Sequence, residues 1–578
     1  MSASNGFGSF WVGNSGLSTS SNGIYVSGNN LANLTTEGYV RQRALQADKI
    51  YNTTDTTKAI GISKIGSGVT TAEILHSRDI FLDKYFRQEN GRESFYNVLS
   101  ETTDEIETIF QELEGEAFET TLDEVWQAFA ELAKDPSDSV NQELIVQKAS
   151  LFISKAQDLM NGLKEYQSNL NKQVTDTIDT INSLGATIAD LNKRIAAIEA
   201  GGIETAYTLR DERDKALDEL SQYVKIDYEE LLDTTVRVKI EGVTFVDMSK
   251  VYGMSAYSDD VTGYVEPAWD ALSDYDNDVI TYVYNIAKGF STEHNSDIGS
   301  LKALLIARGE ESSNYVDLLG VSGTSSDTTN VSTLQEIEAM LDTLVHEIVT
   351  QTNNLVSPLT TLDSSVMFAR DTTINGVTYA AGSSMSGVKV WDSESGYLGS
   401  DLEGPGQELF SRLFVDRYTE VLGIDSEGNS IKYYVYNEED YNDTTTLYST
   451  MNLQVNPTLM DDATMLPYQN VQGDVALDLG TALDTLWESN LDALGGYDFV
   501  EYYTSIIDHV GILGTTYDSL ESTLESTVTA IQSERDQVMT VSSDEELTNM
   551  IKYQNAYNAA SRYINVINEM VELIVQLI

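Results

Sequence analysis

The chain has 578 residues, enough for three or four domains with sizeable hydrophobic cores. Its 92 acidic and 34 basic residues give a formal net charge of -58, which excludes binding to nucleic acid and to anionic lipid surfaces, because both require clustered Lys and Arg. The absence of cysteine excludes disulfides, thiolate metal sites and cysteine nucleophiles.

The same composition bears on localisation. A protein that crosses a membrane unfolded and refolds outside gains from having no thiols to mispair, although a cytosolic protein can also lack cysteine. The first twenty residues contain no basic segment, no apolar core and no A-x-A cleavage site, so we predict no Sec signal peptide. No run approaches the roughly 18 apolar residues of a membrane helix, so we predict no membrane insertion. If the protein is exported, another machinery exports it.

The N-terminal segment has an unusual composition. No residue from Met1 to Thr36 is charged, and Ser, Gly, Asn and Thr dominate, which is too little apolar surface to fold alone. Its larger apolar residues nevertheless recur every seven positions, at Phe10, Leu17, Ile24 and Leu31. This spacing predicts a helix with a narrow apolar stripe that orders only against a partner.

A polar turn is predicted directly after this helix. The stretch "NNLANLTTEGYVRQ" begins at Asn29, and its Asn and Gly residues tolerate left-handed backbone angles. We therefore expect the helix to end between Asn29 and Asn33 and the chain to reverse at Gly38. Tyr39 and Arg41 are then expected to face neighbouring molecules.

A long helical region follows from Ser77 to about Leu220. One helix is predicted from Ser139, after the breaker Asp135-Pro136, to the pair Gly201-Gly202. A second helix, from Thr208 to Tyr223, is predicted to fold back on it as a hairpin. The long helix carries apolar residues at alternating steps of four and three, which predict a coiled-coil seam through Leu170, Val174, Thr177, Ile181, Leu184, Ile188, Leu191, Ile195 and Ile198.

The period changes to two near Thr234. The run "TTVRVKIEGVTFVD", from Thr234 to Asp247, predicts two strands around a turn at Glu241-Gly242, with further strands to about Ser300. A helix is then predicted from a capping box formed by Thr333 and Glu336.

The C-terminal part is predicted to be a β-rich region followed by helices. Residues 362–495 are acidic and contain short β-like runs such as "IKYYVYN" from Ile431. Helical pattern resumes near Phe499, and a last helix is predicted from a capping box of Ser543 and Glu546. Its heptad positions are Met550, Tyr553, Tyr557, Ala560, Ile564, Ile567, Val571, Ile574 and Ile578. Neither terminal stripe can be buried locally, so we predict that the two terminal helices pair as a coiled coil and also contact neighbouring copies.

These patterns predict a mainly α, multidomain α+β chain. The predicted parts are an N-terminal axial helix and turn segment at 1–70, a helical domain with a long coiled-coil hairpin at 71–230, a β-rich segment at 231–330, a helix returning to the helical domain at 331–361, a variable β-rich outer domain at 362–495, and a C-terminal helical segment with the terminal axial helix at 496–578.

No motif for catalysis or metal binding is complete. His76, His294, His346 and His509 are far apart and form no H-E-x-x-H arrangement. The run "DYDND" from Asp274 lacks the glycine and the bidentate glutamate of an EF-hand. We therefore predict no catalytic, cofactor or metal site, and no enzyme.

Both ends of the chain resemble the family of bacterial flagellar rod, hook and hook-associated proteins. The N-terminal signature of that family runs from an apolar-seamed helix into N-N-[IL]-A-N, a polar turn, G-Y and a basic residue. It matches Asn29, Asn30, Leu31, Ala32, Asn33, Gly38, Tyr39, Arg41 and Gln42. The family's closing-helix motifs resemble Glu545-Glu546-Leu547, Tyr553-Gln554-Asn555-Ala556-Tyr557 and Ala560-Ser561-Arg562.

Two interior segments are similar to those of hook-associated members. They are "LRDERDKALDELSQYVKI" from Leu209 and "GSLKALLIARGE" from Gly299. The chain departs from the family at its glycine-rich start and at Glu37, and residues 362–495 resemble nothing in it.

The resemblance implies a non-enzymatic structural protein that joins the flagellar hook to the filament. It implies export through the flagellar type III channel, secretion to the cell exterior, and a cytoplasmic chaperone on the C-terminal helix. Further implied partners are other copies in a ring or helical oligomer, the hook protein, a second junction protein, and the filament and cap proteins. The alternatives are the hook protein itself or another axial protein, and a scaffold whose 362–495 insertion adds adhesion or hydrolysis.

The expected assembly interface lies on the two terminal helices and the turn. Its N-terminal residues are Phe10, Leu17, Ile24, Asn30, Leu31, Asn33, Gly38, Tyr39 and Arg41. Its C-terminal residues are the nine heptad positions from Met550 to Ile578 given above.

Overall fold

A computed structural model describes residues 4–36, 38–49, 52–55, 63–111, 118–202, 205–275, 277, 279–319, 331–425 and 427–576. Within these ranges no helix is both long and apolar enough to cross a membrane. The helices are α1 (Ser4–Ala32), α2 (Ile80–Gln111), α3 (Phe118–Lys134), α4 (Ser139–Glu199), α5 (Tyr207–Tyr223), α6 (Ser300–Arg308), α7 (Tyr315–Leu318), α8 (Thr333–Val356), α9 (Pro457–Asp461), α10 (Leu477–Trp487), α11 (Phe499–Met539) and α12 (Ser543–Gln576).

The strands are short and pair antiparallel in several small sheets, which together with the helices confirms the predicted α+β class. The two larger sheets have the orders β5-β6-β7-β8 and β11-β15-β19-β18-β12. The strands are β1 (Gln42–Asp48), β2 (Asn52–Asp55), β3 (Ser63–Ile65), β4 (Val69–His76), β5 (Ile226–Glu230), β6 (Val236–Ile240), β7 (Val243–Asp247), β8 (Lys250–Val251), β9 (Met254–Ser258), β10 (Val265–Trp269), β11 (Leu359–Thr361), β12 (Met367–Phe368), β13 (Thr372–Ile374), β14 (Val377–Tyr379), β15 (Lys389–Trp391), β16 (Tyr397–Leu398), β17 (Phe410–Arg412), β18 (Tyr418–Ile424), β19 (Ser430–Tyr436), β20 (Leu453–Val455) and β21 (Gln469–Asn470).

The chain forms two compact units. Unit 1 consists of Met1–Ser94, Thr180–Gly253 and Ser522–Ile578, and unit 2 consists of Phe95–Asp179 and Met254–Glu521. Helices α2, α4 and α11 contribute residues to both. The six-part division predicted from the sequence stays a prediction.

The predicted helical hairpin is confirmed within unit 1. Helix α5 runs back along the end of α4, and the Arg213 guanidinium donates to Asn192 Oδ1 at 3.1 Å. One turn further along, Arg210 donates to Glu199 Oε1 at 2.8 Å. The predicted strand pair is confirmed as well, because β6 and β7 meet in a turn where Glu241 and Gly242 have φ of 49° and 80°.

A sheet covers the end of the seam predicted on α4, which the sequence did not anticipate. The Phe245 ring of β7 lies against Gly185, where an added Cβ would be only 2.5 Å from the ring. The Asn192 side chain donates to Val236 O and Met248 O, both at 2.8 Å. The sheet therefore packs on α4 at Gly185, which has no side chain, and at Asn192, whose side chain is polar.

The buried line on α4 follows a different set of residues from the predicted heptad. Leu170, Val174, Ile181, Ile188, Leu191 and Ile195 are buried as expected, but Thr177 and Leu184 are only half-buried and Ile198 is exposed. Ile178 and Gly185 are buried in place of Thr177 and Leu184, and Asn192 is buried beside Leu191. The difference arises because the cover is partly a sheet, which accepts small and polar residues that a helical seam disfavours.

Two helix caps lie one residue earlier than predicted. Ser332 Oγ, and not Thr333, accepts the Gln335 N–H at 3.4 Å at the start of α8. Ser542 Oγ, and not Ser543, accepts the Glu545 N–H at 3.5 Å at the start of α12. In both places the sequence offers two adjacent hydroxyl residues, so local composition does not decide between them.

Unit 2 is built around an aromatic helical core. Phe118 of α3 lies 5.7 Å from the Phe152 ring of α4 and 5.2 Å from the Tyr503 ring of α11. Trp487 of α10 packs between Phe129, at 5.8 Å, and Phe499, at 5.0 Å. These rings bury large apolar areas, which is why helices distant in sequence pack together here.

The 362–495 segment of unit 2 has its own small core and locally closed loops. Its five-stranded sheet includes β19, which confirms the strand predicted from Ile431, and α9 and α10 add helices that the sequence did not predict. Several loops are closed by an aspartate that accepts the backbone N–H two residues later, at Asp363, Asp392, Asp425, Asp443 and Asp462. These turns account for much of the Asp, Ser and Thr in this segment.

One face of α8 carries buried charged groups. Glu338 Oε2 accepts the Ser313 N–H at 2.9 Å, while Glu338 Oε1 has no hydrogen-bond partner within the described ranges. One turn on, Asp342 accepts the Thr450 N–H at 2.6 Å. Burial raises the pKa of Glu338 to about 7. Holding this carboxylate ionised inside unit 2 therefore costs stability.

We predict that Glu338 makes unit 2 less stable as the pH rises. In the unfolded chain Glu338 loses its proton near pH 4.5, whereas in the folded chain it keeps the proton to about pH 7, so the folded state loses stability across this window. Glu338→Gln should abolish this loss and, at pH 8, stabilise unit 2 by on the order of 3 kcal/mol. Thermal unfolding of wild type and variant at pH 4 and pH 8 measures the effect.

A matched control is available on the surface of the same unit. Glu394 is exposed, and Glu394→Gln removes the same charge without changing the interior. Equal shifts for Glu338→Gln and Glu394→Gln at pH 8 would contradict the buried-carboxylate explanation.

Candidate assembly interface

The two terminal helices pack against each other, antiparallel, within unit 1. Gly13 lies against Ile564, Gly16 against Ala560 and Gly23 against the Tyr553 ring. A Cβ added at Gly13 would lie 2.6 Å from Ile564 Cγ1, and one added at Gly23 would lie 2.7 Å from Tyr553 Cδ1. The backbone of α1 approaches α12 closely because side chains are missing at these positions.

Small and polar residues of α1 form its most buried face. The larger residues of the predicted stripe lie at the margin, with Leu17, Ile24 and Leu31 half-buried and Phe10 42% exposed. The fully buried positions are Gly13, Thr19, Ser20, Gly23, Val26, Ser27 and Asn30. Sequence reasoning missed them because it treated Ser and Gly as markers of disorder, although Gly13, Ser20 and Ser27 each follow a stripe residue by three.

The heptad residues of α12 are covered to different degrees. Ile567 is 7% exposed, while Tyr557 is 41% and Val571 is 44% exposed. Met550, Tyr553, Ala560 and Ile564 are half-buried. Ile574 lies in the last turns of α12, and Ile578 lies outside the described residues.

Both terminal helices present large apolar side chains outward. On α1, Trp11 is 64% and Tyr25 is 82% exposed. On α12 the exposed apolar residues include Leu547, Ile551, Tyr557, Tyr563, Val566, Met570, Val571, Leu573 and Val575. An apolar surface of this extent on a highly charged chain is typical of a contact site for other protein.

Asn30 holds the chain reversal after α1. It is fully buried, and its Nδ2 donates to Gln42 O at 2.8 Å while its Oδ1 accepts the Gln42 N–H at 3.1 Å. The Tyr39 hydroxyl donates to the same oxygen at 2.9 Å. Burial, together with the charges of Asp211 and Glu546, raises the pKa of Tyr39 to about 12, so this hydroxyl remains a donor. The side chain of one helical residue thus anchors the first residue of β1.

The other polar residues of the signature shape the turn itself. Asn33 Nδ2 donates to Asn29 O at 3.0 Å, and Thr36 Oγ1 donates to Asn33 Oδ1 at 3.2 Å. Gly38 has φ of 79°, a conformation that favours glycine. Helix α1 ends at Ala32, so the predicted helix end and the predicted reversal are both confirmed.

Arg41 joins this turn to the C-terminal helices. Its N–H donates to Met539 O at 2.9 Å, at the end of α11. Its guanidinium donates to Glu546 Oε1 at 2.8 Å and to Glu545 Oε2 at 3.0 Å, in the first turn of α12. Tyr39 and Arg41 are thus both hydrogen-bonded within their own chain, and their expected contact with neighbouring molecules stays a prediction.

The "LRDERDKALDEL" segment supplies acceptors to arginines from two other helical regions. Asp214 and Asp218 lie four residues apart on α5, so their side chains share one face of the helix. Arg87 donates to Asp218 Oδ1 at 2.6 Å, and Arg535 of α11 donates to Asp218 Oδ2 at 2.6 Å. Arg78 donates to Asp214 Oδ2 at 2.6 Å. These buried, charge-assisted bonds fix α2, α5 and α11 to one another within unit 1.

The segment also reaches the N-terminal turn. Asp211, one helical turn before Asp214, accepts the Val40 N–H at 3.3 Å. A cleft of about 690 Å³ lies between the turn, α5 and the end of α11. Across the parts of the chain that the structure describes, no group of three His, Cys, Asp or Glu residues is placed to hold a metal ion. Asp276 and Asp278 of the "DYDND" run lie outside those parts.

Comparisons with known proteins find relatives of both the interior and the C-terminal part of the chain. A family model described as the helical domain of flagellar hook-associated protein FlgK matches residues 103–366, and one described as the C-terminal part of the flagellar basal body rod proteins FlgEFG matches residues 536–577. Flagellar hook-associated protein 1 of Bacillus subtilis (strain 168) is 24% identical over 572 residues, covering 97% of this chain and 96% of that protein. The protein of the same name from Salmonella typhimurium (strain LT2) is 20% identical over 577 residues, covering 97% and 98%.

A solved structure is also similar. The flagellar hook junction protein FlgK from Burkholderia pseudomallei aligns with a TM-score of 0.48 and 13% identity, over 80% of this chain and 100% of that one. Together, the two family models and the relatives that span nearly its whole length identify the chain as a flagellar hook-associated protein, a structural component of the bacterial flagellum rather than an enzyme.

Proposed function

We propose that this protein forms the junction between the flagellar hook and filament, outside the cell, by polymerising through its paired terminal helices. The observation that carries the proposal is the outward apolar surface of α1 and α12, which one copy of the chain leaves uncovered. Repeated contacts between non-identical surfaces of neighbouring copies generate rings or helical arrays. The hook protein on one side, and a second junction protein with the filament and cap proteins on the other, continue such an array.

The chain composition supports export in an unfolded state through the flagellar type III channel. With no cysteine, no thiol can form a wrong disulfide after secretion. The net charge of -58 keeps an unfolded chain soluble. The apolar face of α12, including Val566, Met570 and Leu573, is the surface that a cytoplasmic export chaperone would cover.

Assembly then completes the folding of the chain ends. The face of α1 rich in Gly and Ser has low intrinsic helix stability, so most of its stability must come from packing on α12. The outward residues of both helices gain cover only from neighbouring copies. Ends that order on assembly cannot polymerise prematurely inside the cell.

Deletion of the gene tests the position of the protein. We expect electron microscopy to show bare hooks on the cells, and we expect filament protein to be shed into the medium. Full filaments would contradict a junction role, and missing hooks would identify the protein with the hook or rod instead.

Ile567→Asp tests the role of the terminal pair. Ile567 is almost fully buried, so the new carboxylate would lie unpaired in the α1–α12 seam at a cost of several kcal/mol. We expect a soluble chain whose unit 2 melts normally, no protein in isolated flagella, and loss of motility. Asn568→Asp adds the same charge at the next, exposed position and should assemble. Normal motility of Ile567→Asp cells would contradict assembly through the paired terminal helices.

Gly23→Leu tests whether close approach of the two helices is needed. A side chain at Gly23 meets the Tyr553 ring, and overpacking of this kind typically costs about 1–3 kcal/mol. Gly28→Leu on the same helix is the control, because no atom lies within 4 Å of an added Cβ there. We expect immunoblots of isolated flagella to show less of the Gly23→Leu protein than of the Gly28→Leu protein. Equal amounts would show that the glycine contact does not limit assembly.

A further inference from the structure

Arg41 lies where the N-terminal turn, the end of α11 and the start of α12 meet, and we propose that it sets the register in which α1 and α12 pair. Register means here which residue of α1 lies opposite which residue of α12. In the structure Gly16 lies opposite Ala560, and Gly23 lies opposite Tyr553.

The apolar seam alone defines this register poorly. Gly16 and Gly23 are seven residues apart, and so are Tyr553, Ala560 and Ile567 on the other helix. Sliding α12 by one heptad would place Gly16 opposite Tyr553 or Ile567. In the second case Gly23 would lie opposite Ala560, and apolar or small side chains would again face both glycines. Because burial of apolar surface has no preferred direction, such a slip retains much of the packing.

The connection to α12 does not forbid the slip by itself. Helix α11 ends at Met539 and α12 begins at Ser543, so three residues join them. Three extended residues span at most about 10 Å. One heptad of α-helix rises about 10 Å as well, so unwinding the first turn of α12 supplies the length that a slip requires.

Arg41 bonds to both sides of this connection. Its N–H is bonded to Met539 O before the connection, and its guanidinium to Glu545 and Glu546 after it. The Glu546 side chain is only 3% exposed, so solvent screens this ion pair little. In a slipped register Arg41 and Glu546 would be separated, and a buried charge without its partner is unfavourable. The ion pair therefore penalises the slip, although the apolar seam does not.

Arg41 is itself held in place relative to α1. Its carbonyl accepts the Ser77 N–H at 3.0 Å, which ties it to the residue after β4. The next residue, Gln42, is bonded through its backbone to Asn30 of α1. A rigid path therefore runs from α1 through Asn30, Gln42 and Arg41 to the first turn of α12.

A fixed register matters if copies form an array. Every copy then presents its outward apolar residues at the same height along the pair, which repeating contacts require. This consequence rests on the proposed function, whereas the register itself does not.

Engineered disulfides measure the register directly, because the natural chain contains no cysteine. Gly16→Cys is combined with Ala560→Cys to report the observed register. It is combined with Tyr553→Cys or Ile567→Cys to report slips in the two directions. A Cβ at Gly16 would lie 3.3 Å from Ala560 Cβ, close to the separation of about 3.5–4.5 Å found in disulfides. Each pair is oxidised in full-length protein within flagella isolated from cells, with Arg41 either present or replaced.

With Arg41 present, the disulfide between positions 16 and 560 should dominate. With Arg41→Ala, the ratio of this disulfide to the slipped disulfides should fall about tenfold or more, because one charge-assisted hydrogen bond contributes that much to an equilibrium. Arg41→Glu combined with Glu545→Arg and Glu546→Arg should restore the ratio. Arg41→Lys keeps the charge but not the forked geometry of the guanidinium. If Arg41→Ala does not assemble, the disulfide ratio is measured in Arg41→Lys instead. This variant should give an intermediate ratio.

Arg43→Ala is the matched control. Arg43 carries the same charge two residues further along the chain, in β1, and is exposed, so solvent screens its attraction to Glu545. Its removal should leave the disulfide ratio unchanged.

The outcomes separate the proposals. An unchanged ratio in both Arg41→Ala and Arg41→Lys, or an equal fall for Arg43→Ala, overturns the register proposal and leaves the pairing intact. Failure to form the disulfide between positions 16 and 560 with Arg41 present overturns the pairing itself. Absence of the protein from flagella that carry complete filaments overturns the proposed function.

Discussion

The packing of the chain ends depends on one constraint, the missing side chains on the inner face of α1. Gly13, Gly16 and Gly23 allow the helix backbone to touch α12, and the same glycines remove most of the intrinsic stability of α1 as a helix. The helix therefore needs a partner along its length and a firm anchor at its end. Helix α12 supplies the partner, and the hydrogen bonds between Asn30 and Gln42 supply the anchor.

The distribution of charge follows a second pattern. The chain has few basic residues, and several of them are buried, at Arg87, Arg213, Arg308, Arg412, Arg417 and Arg535. They hold helices and loops together through aspartates and carbonyl groups, as Arg535 does between Asp83 and Asp218. Buried acidic residues such as Asp83 and Glu408 balance these cations in the interior, so the excess negative charge of the chain lies on its exposed surface. Copies of the chain therefore repel one another wherever apolar contact does not hold them together.

Sequence reasoning predicts this fold where the signals are local and periodic. The 61-residue α4, the β6–β7 turn and the end of α1 are predicted from apolar spacing, breakers and turn residues. The caps of α8 and α12 are displaced by one residue because two hydroxyl residues are adjacent at each site.

The polar contacts of the candidate interface are beyond such reasoning. Arg41 meets Glu546 across 505 residues of chain, and Arg535 meets Asp83 across 452. Nothing local marks these pairs among the many charged residues, so only the resemblance of the ends drew attention to Arg41. The inner face of α1 was missed for a different reason, since its small residues carry no apolar signal.

The aspartate-closed turns of residues 362–495 have a consequence for how this family diverges. At Asp363, Asp392, Asp425, Asp443 and Asp462 the loop is held by its own first side chain and needs little from the rest of the molecule. Loops of this kind can lengthen, shorten or exchange residues one at a time while the core of Phe368, Val390 and Val435 stays in place. Each loop of this segment can therefore change by itself, whereas a change at a glycine or a long-range ion pair of the terminal helices must be matched by a second change far away in the sequence.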